Sequence, residues 1–337
     1  MVRGRFAPSP TGRMHLGNVF CALLSWLSAK SQGGEWVLRI EDLDPQRSKK
    51  DYALQLMDDL QWLGLPWDGE PVWQSQRGDI YEEYLQCLTN MGLTYPCFCT
   101  RADIMATQAP HETDGRVVYK GTCRPNTINE NHSPLTAPHS PLPNATTRLI
   151  VPDRIIPFTD GHYGKHDINL AEHCGDYIIR RKDGAWAYQL AVVVDDSLMG
   201  VTEIVRGRDL LLSSPQQIHL RKLLFQSTDD RVQSTDDCIV GTLRAASEEQ
   251  ERGEEQENEI TFFHHPLLCN AEGQRLCKRD KSMDLEYLRN TGMAPQDIIG
   301  KLAHLAGLTD TPAPITPTEL LPLFSWDKVT TEDIILK

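Results

Sequence analysis

No stretch of this chain approaches the roughly eighteen consecutive apolar residues that a membrane-spanning helix needs. Its first residues, MVRGRFAPSP, hold no apolar segment of the kind that heads a secreted protein. The cysteines do not form an even, regularly spaced set: there are nine, and three of them lie between Cys97 and Cys123. A secreted disulfide scaffold is therefore not expected, and the chain reads as soluble and cytoplasmic. Positive charge is also short, with 34 Lys and Arg against 47 Asp and Glu and a formal net charge of -13. That balance argues against a general nucleic-acid coat, although Arg180, Arg181, Lys182, Arg206, Arg208, Arg221 and Lys222 could still form a local basic face. The glycine fingerprint of dinucleotide-binding folds and the P-loop pattern are both absent, so any nucleotide chemistry must rest on other residues.

Two short segments supply such residues. Near the start, Pro8-Ser9-Pro10-Thr11-Gly12-Arg13-Met14-His15-Leu16-Gly17-Asn18 reads as a Pro/Gly turn that follows a strand over Val2 to Ala7 and hands over to a helix. Backbone N–H groups at a helix start attract anions, Gly17 lets a ligand approach the backbone, and His15 can donate to a phosphoryl oxygen. Near the end, Lys278-Arg279-Asp280-Lys281-Ser282 sets two ammonium groups three residues apart on a polar loop, where they can clamp a polyphosphate.

With 40% hydrophobic residues over 337 positions, the chain can bury a full core and has room for about two domains. Leu16, Val19, Phe20, Leu23, Leu24 and Leu27 recur at helical spacing up to Gly33-Gly34, and a strand follows at Trp36–Ile40. Helical patterns over 46–64 and 76–91 continue a strand–helix alternation, which predicts an α/β fold with a parallel sheet over 1–94. From 95 to 176 the texture changes: residues 125–146 are rich in Pro, Asn, Thr, Ser and His, and strand-like runs follow at Thr147–Val151 and Tyr177–Arg180. We expect an inserted subdomain there. The near-continuous apolar run Ala187–Asp195 predicts a return to the parallel core within 177–225, as a strand covered on both faces. Residues 226–260, with Gln226–Asp230 repeated at Gln233–Asp237 and a Glu/Gln-rich run, predict a disordered acidic insertion, and 261–337 a lysine-loop and mostly helical region.

The cysteines Cys97, Cys99 and Cys123 offer three thiols to one site, and tetrahedral zinc needs a fourth ligand. From the residues alone His111 is the candidate, and Tyr119, four residues before Cys123, is an unorthodox one; otherwise these are three reduced structural cysteines.

The two motifs resemble the HIGH and KMSKS motifs of class I aminoacyl-tRNA synthetases. Arg5–Gly12, Arg39–Pro45, Tyr188–Asp196 and Val205-Arg206-Gly207 resemble, in the same order, blocks of the glutamyl-tRNA synthetases. The resemblance spans roughly 1–225 and 260–290. Only a short stretch follows the second motif, so the chain is similar to the truncated, glutamyl-queuosine branch of that family, without an anticodon-binding domain. The resemblance implies a Rossmann-like catalytic core and ATP-dependent activation of L-glutamate. The glutamate is then transferred to queuosine in the anticodon stem-loop of tRNA(Asp), by a protein acting as a monomer. It sets Arg5 and Arg206 on the glutamate carboxylates, Glu41 on the ammonium, and Ala7, Ser9 and Tyr188 around the same pocket. It gives ATP to His15, Gly17, Asn18 and Lys281, and the departing pyrophosphate to Lys278 and Lys281, with Mg²⁺ accompanying ATP. Asn18 stands where the general motif has a second histidine and carries no catalytic weight. A zinc knuckle of Cys97, Cys99, Tyr119 and Cys123 is likewise implied, in a structural role. Asp195-Asp196 is either a Mg²⁺ or ribose contact or a strand-end turn. The rival readings are a nucleotidyltransferase, a short glutamyl-tRNA synthetase charging the 3′ end, and a non-catalytic tRNA-binding paralogue.

Overall fold

The computed structural model describes residues 1–106, 118–125, 144–225, 260–276 and 284–336. The chain begins with β1 (Arg3–Phe6), α1 (Leu16–Ser31), β2 (Glu35–Ile40), α2 (Lys50–Trp62), β3 (Val72–Trp73) and α3 (Gly78–Asn90). Next come β4 (Thr94–Cys97), α4 (Arg101–Ala106), β5 (Thr146–Leu149), β6 (Ile155–Asp160), β7 (Gly164–Asn169), α5 (Leu170–His173) and β8 (Ile178–Arg180). The remainder is α6 (Tyr188–Leu198), β9 (Glu203–Gly207), α7 (Ser214–Phe225), β10 (Thr261–His265), β11 (Leu268–Cys269), α8 (Leu285–Asn290), α9 (Pro295–Ala306), α10 (Pro317–Leu320) and β12 (Ile334–Ile335).

The main sheet has seven strands in the order β3-β2-β1-β9-β10-β6-β7. All its pairings are parallel except the β6–β7 hairpin. β1 lies between β2 and β9, which come from opposite halves of the chain, and this opens a crevice at its carboxyl end, where ligands bind in such sheets. The strands β4, β5 and β8 form a separate antiparallel sheet.

Helix α1 buries Leu16, Val19, Phe20, Leu23, Leu24 and Leu27, the residues whose spacing predicts it. Each fully buried leucine there contributes about 2 kcal/mol. The helix turns into β2 at Gly34, where a Cβ would lie 2.4 Å from the Val2 carbonyl oxygen, so only glycine fits. The same core cluster includes Ile298, Ile299, Leu302, Ala303 and Ala306 of α9. Trp326 Nε1 donates to Ser28 Oγ at 3.0 Å, so the C-terminal region braces α1 from outside the sheet.

Two expectations change. Ala187–Asp195 is not a strand: Tyr188–Leu198 is the helix α6, with Leu190 through Asp196 all buried. A helix covered on all sides reads as an unbroken apolar run, as a buried strand does, and periodicity cannot separate them. The segments 155–169 and 261–265, expected outside the parallel core, join the main sheet as β6, β7 and β10. The acidic insertion, His111, Lys278 and Lys281 lie outside the described residues.

Candidate active site

The carboxyl ends of β1, β2 and β9, with the starts of α1 and α6, surround a cavity of about 440 Å³. Arg5, Ala7, Ser9, His15, Gly17, Asn18, Glu41, Tyr188 and Arg206 all line it. Every expected glutamate and ATP residue among the described ones is thus in one place.

His15 is the N-cap of α1, and its Nδ1 accepts the Gly17 N–H at 3.1 Å. In the neutral ring the proton therefore sits on Nε2, a donor suited to a phosphoryl oxygen. A Cβ on Gly17 would lie 3.0 Å from the His15 ring, so this glycine makes room for the imidazole over the helix start. Asn18 Oδ1 accepts the His15 backbone N–H at 3.2 Å, which gives Asn18 a capping part.

Described residues on either side of the lysine motif lie at the same rim. Arg275 and Leu276 line the cavity, and Asp284 pairs with His15 in an isolated antiparallel bridge. Leu285 N–H donates to Met14 O at 3.0 Å, and Arg13 reaches Glu286 at 2.6 Å.

Beneath the cavity lies a buried charge cluster. Arg39, 0% exposed, meets Asp196 at 2.5 Å, Glu41 at 3.1 Å and Asp195 at 3.8 Å. Asp195 also accepts from Arg77 at 2.6 Å, Tyr81 at 2.8 Å and Gln74 at 2.8 Å, while Asp196 lies 3.5 Å from Arg5. The Asp195-Asp196 pair is not a strand-end turn: it lies within α6, and its carboxylates neutralise arginines inside the protein. Burial raises the Glu41 pKa above its ordinary value, and Arg39 opposes the shift.

Arg206 differs from Arg5 and Arg39. It is 3% exposed, yet its hydrogen-bond acceptors are His264 Nε2 at 3.0 Å, Gln217 Oε1 at 2.7 Å, Ser214 Oγ at 2.8 Å and Leu210 O at 3.3 Å, with the Tyr188 hydroxyl beside them. None is a carboxylate, and burial lowers its pKa. A buried cation without a contacting anion suits a ligand that brings its own.

A second cluster lies at the separate sheet. The thiols of Cys97, Cys99 and Cys123 lie within 4.8 Å of one another. The Tyr119 hydroxyl lies 3.4 Å from Cys97 Sγ and 3.9 Å from Cys99 Sγ, and it accepts the Cys123 N–H at 2.6 Å. Burial pushes Cys99 up to about 11. At Cys123 burial is outweighed by hydrogen bonds from the Phe98 backbone and Tyr119, and its pKa falls to about 7. The three thiols are close enough together to hold one metal ion.

The model for tRNA synthetases class I (E and Q), catalytic domain, matches residues 1–233. The chain belongs to this family. It is 39% identical over 344 residues to the Glutamyl-Q tRNA(Asp) synthetase of Nitratidesulfovibrio vulgaris, covering 99% of this chain and 95% of that protein. The same figures hold for the Glutamyl-Q tRNA(Asp) synthetase of Symbiobacterium thermophilum. Among solved structures, it resembles a glutamate tRNA ligase from Elizabethkingia meningosepticum in complex with its amino acid. The TM-score is 0.72 at 26% identity, covering 100% of this chain and 67% of that one.

Within this class I synthetase, sequence reasoning missed Arg39, Gln217 and His264. Arg39 stands in a strand, where a lone arginine reads as surface. His264 had one signal, a His-His pair ahead of Pro266 at a strand end, but nothing in the spacing ties it to Arg206. Among the described residues, no helix is long and apolar enough to cross a membrane.

Proposed function

We propose that this protein activates L-glutamate with ATP and transfers the glutamyl group to the queuosine base in the anticodon of tRNA(Asp). The observation that carries the reading is Arg206, a buried guanidinium with only uncharged acceptors, in one cavity with Glu41 and His15. In this reading Arg206 and Arg5 hold the glutamate carboxylates, Glu41 takes the ammonium, and Ser9 and Tyr188 add hydroxyl contacts beside Ala7. The α-carboxylate attacks the α-phosphorus of ATP, which arrives with Mg²⁺, and pyrophosphate leaves. No protein nucleophile is needed, since positioning and neutralisation of phosphate charge supply the catalysis. His15 Nε2–H and the start of α1 at Gly17 and Asn18 hold the phosphates, and Lys278 and Lys281 steady the departing pyrophosphate.

A hydroxyl of the queuosine cyclopentenediol then attacks the glutamyl carbonyl and releases AMP. A neighbouring cavity of about 350 Å³ shares Ser9, Thr11, Glu41 and Tyr188 with the first and adds Arg47, Arg181 and Trp186, which makes it a suitable entry for the acceptor base. Cys97, Cys99, Cys123 and Tyr119 would hold one zinc ion, whose role is to fix the fold of the segment around β4 and β5. The protein acts as a cytoplasmic monomer in this reading.

Mass spectrometry of nucleosides from tRNA incubated with labelled glutamate and ATP tests it. Label on the queuosine nucleoside is the expected result. Label confined to the 3′-terminal adenosine would replace it with a short glutamyl-tRNA synthetase.

A further inference from the structure

Arg206 and His264 are register partners on the adjacent parallel strands β9 and β10, so their side chains share one face of the sheet. Arg206 Nε–H donates to His264 Nε2 at 3.0 Å, and on the far side of the ring His264 Nδ1 meets Asp160 Oδ2 at 2.6 Å. An imidazole nitrogen that accepts from a guanidinium carries no proton, so the ring's proton is on Nδ1 and is donated to Asp160. Asp160 is held in turn by the backbone N–H groups of His162 and Tyr163, at 3.0 and 2.8 Å. The three side chains are buried. His264 does not line the cavity; it stands behind Arg206.

We infer that His264 is a positioning residue for glutamate recognition: as the acceptor for Arg206 Nε it aims the guanidinium into the cavity, and it sets the Asp160 carboxylate one imidazole away from Arg206 rather than on it. This rests on the proposal that Arg206 binds a glutamate carboxylate. The arrangement resolves a conflict. A carboxylate in direct contact would hold a buried arginine well, but it would also compete with the substrate's carboxylate for the same N–H groups. An uncharged acceptor fixes the fork without neutralising it. Arg39, which meets Asp196 at 2.5 Å, shows the opposite solution beside the same site. Burial draws His264 below the ordinary histidine pKa against the raising pull of Asp160, in keeping with an uncharged ring.

The test is glutamate-dependent ATP–pyrophosphate exchange by the full chain and two variants. His264→Asn can keep the bond to Asp160 but falls short of Arg206, while His264→Gln reaches Arg206 with an amide acceptor. Leaving a buried donor unpaired predicts a rise of about tenfold or more in the KM for glutamate of His264→Asn. The KM for ATP should stay within about twofold, and His264→Gln should recover most of the loss. If His264→Asn does not fold, His264→Phe, which fills similar volume without an acceptor, takes its place. An unchanged glutamate KM, equal rises in both KM values, or no recovery in His264→Gln would overturn the inference while leaving the glutamate reading intact. Unsubstituted protein that shows no glutamate-dependent exchange would overturn that reading and this inference with it.

Discussion

Asp284 bridges His15, and through that pairing the start of the first helix meets a residue from the opposite end of the chain. Arg275 and Leu276 on one side and Asp284 on the other fix the ends of the segment that contains Lys278 and Lys281. Lys281→Ala should slow adenylate formation with little change in glutamate affinity, seen as a fall in exchange rate at saturating glutamate. A matching loss of glutamate binding would show that the two ends of the cavity are not separate in function.

His15→Ala should lower the exchange rate by ~10²-fold, the cost of losing one donor aimed at developing charge. Gly17→Ala should do part of the same damage, because its Cβ would sit 3.0 Å from the His15 ring and displace it. Steady-state exchange with both variants checks this, and an unaffected His15→Ala would remove His15 from phosphate binding.

Arg206→Ala should abolish glutamate activation while ATP still binds, since truncating one partner of a buried charge pair costs about 2–5 kcal/mol. Calorimetric titration with ATP and with glutamate separates the two. Equal loss of both would overturn the division of roles.

Arg39→Met should destabilise the protein by about 3–5 kcal/mol, because Asp195, Asp196 and Glu41 lose their common buried cation. Urea unfolding measures it. The pH dependence has a definite sign. Asp196 has a folded-state pKa below its ordinary value of 3.8: burial works against this, but Arg39 and Arg5 prevail. Its stabilisation is therefore full above the unfolded value and is lost as pH falls through the folded one. In Arg39→Met that acid-side loss should begin at higher pH.

Zinc should be present at about one ion per chain, and Cys97→Ser or Cys123→Ser should deplete it. Tyr119→Phe separates the two candidates for the fourth ligand: loss of metal supports Tyr119, and full retention moves the position to another residue. Metal analysis of freshly prepared, chelator-free protein is the measurement.

The elements that build the cavity were legible where one face of an element meets the core. α1 repeats its large apolar residues at helical spacing, and the turn between β1 and α1 announces itself by Pro8, Pro10 and Gly12. α6 was not legible as a helix, because a helix buried on every side loses its period. Arg39 and the Asp160–His264–Arg206 chain were invisible for another reason. Their partners are neighbours only through sheet order, and β6 and β10 join the main sheet from segments whose composition gave no sign of it. The residues proposed to touch ligands stand in recognisable motifs, whereas those packed behind them do not.

The central claim is that glutamate goes to the queuosine ring. The most direct measurement is transfer of labelled glutamate to tRNA whose 3′ end has been selectively blocked. Queuosine-containing tRNA(Asp), or its isolated anticodon stem-loop, should take up label with its 3′ end closed. Label found only on tRNA(Glu) with a free 3′ end would contradict the account.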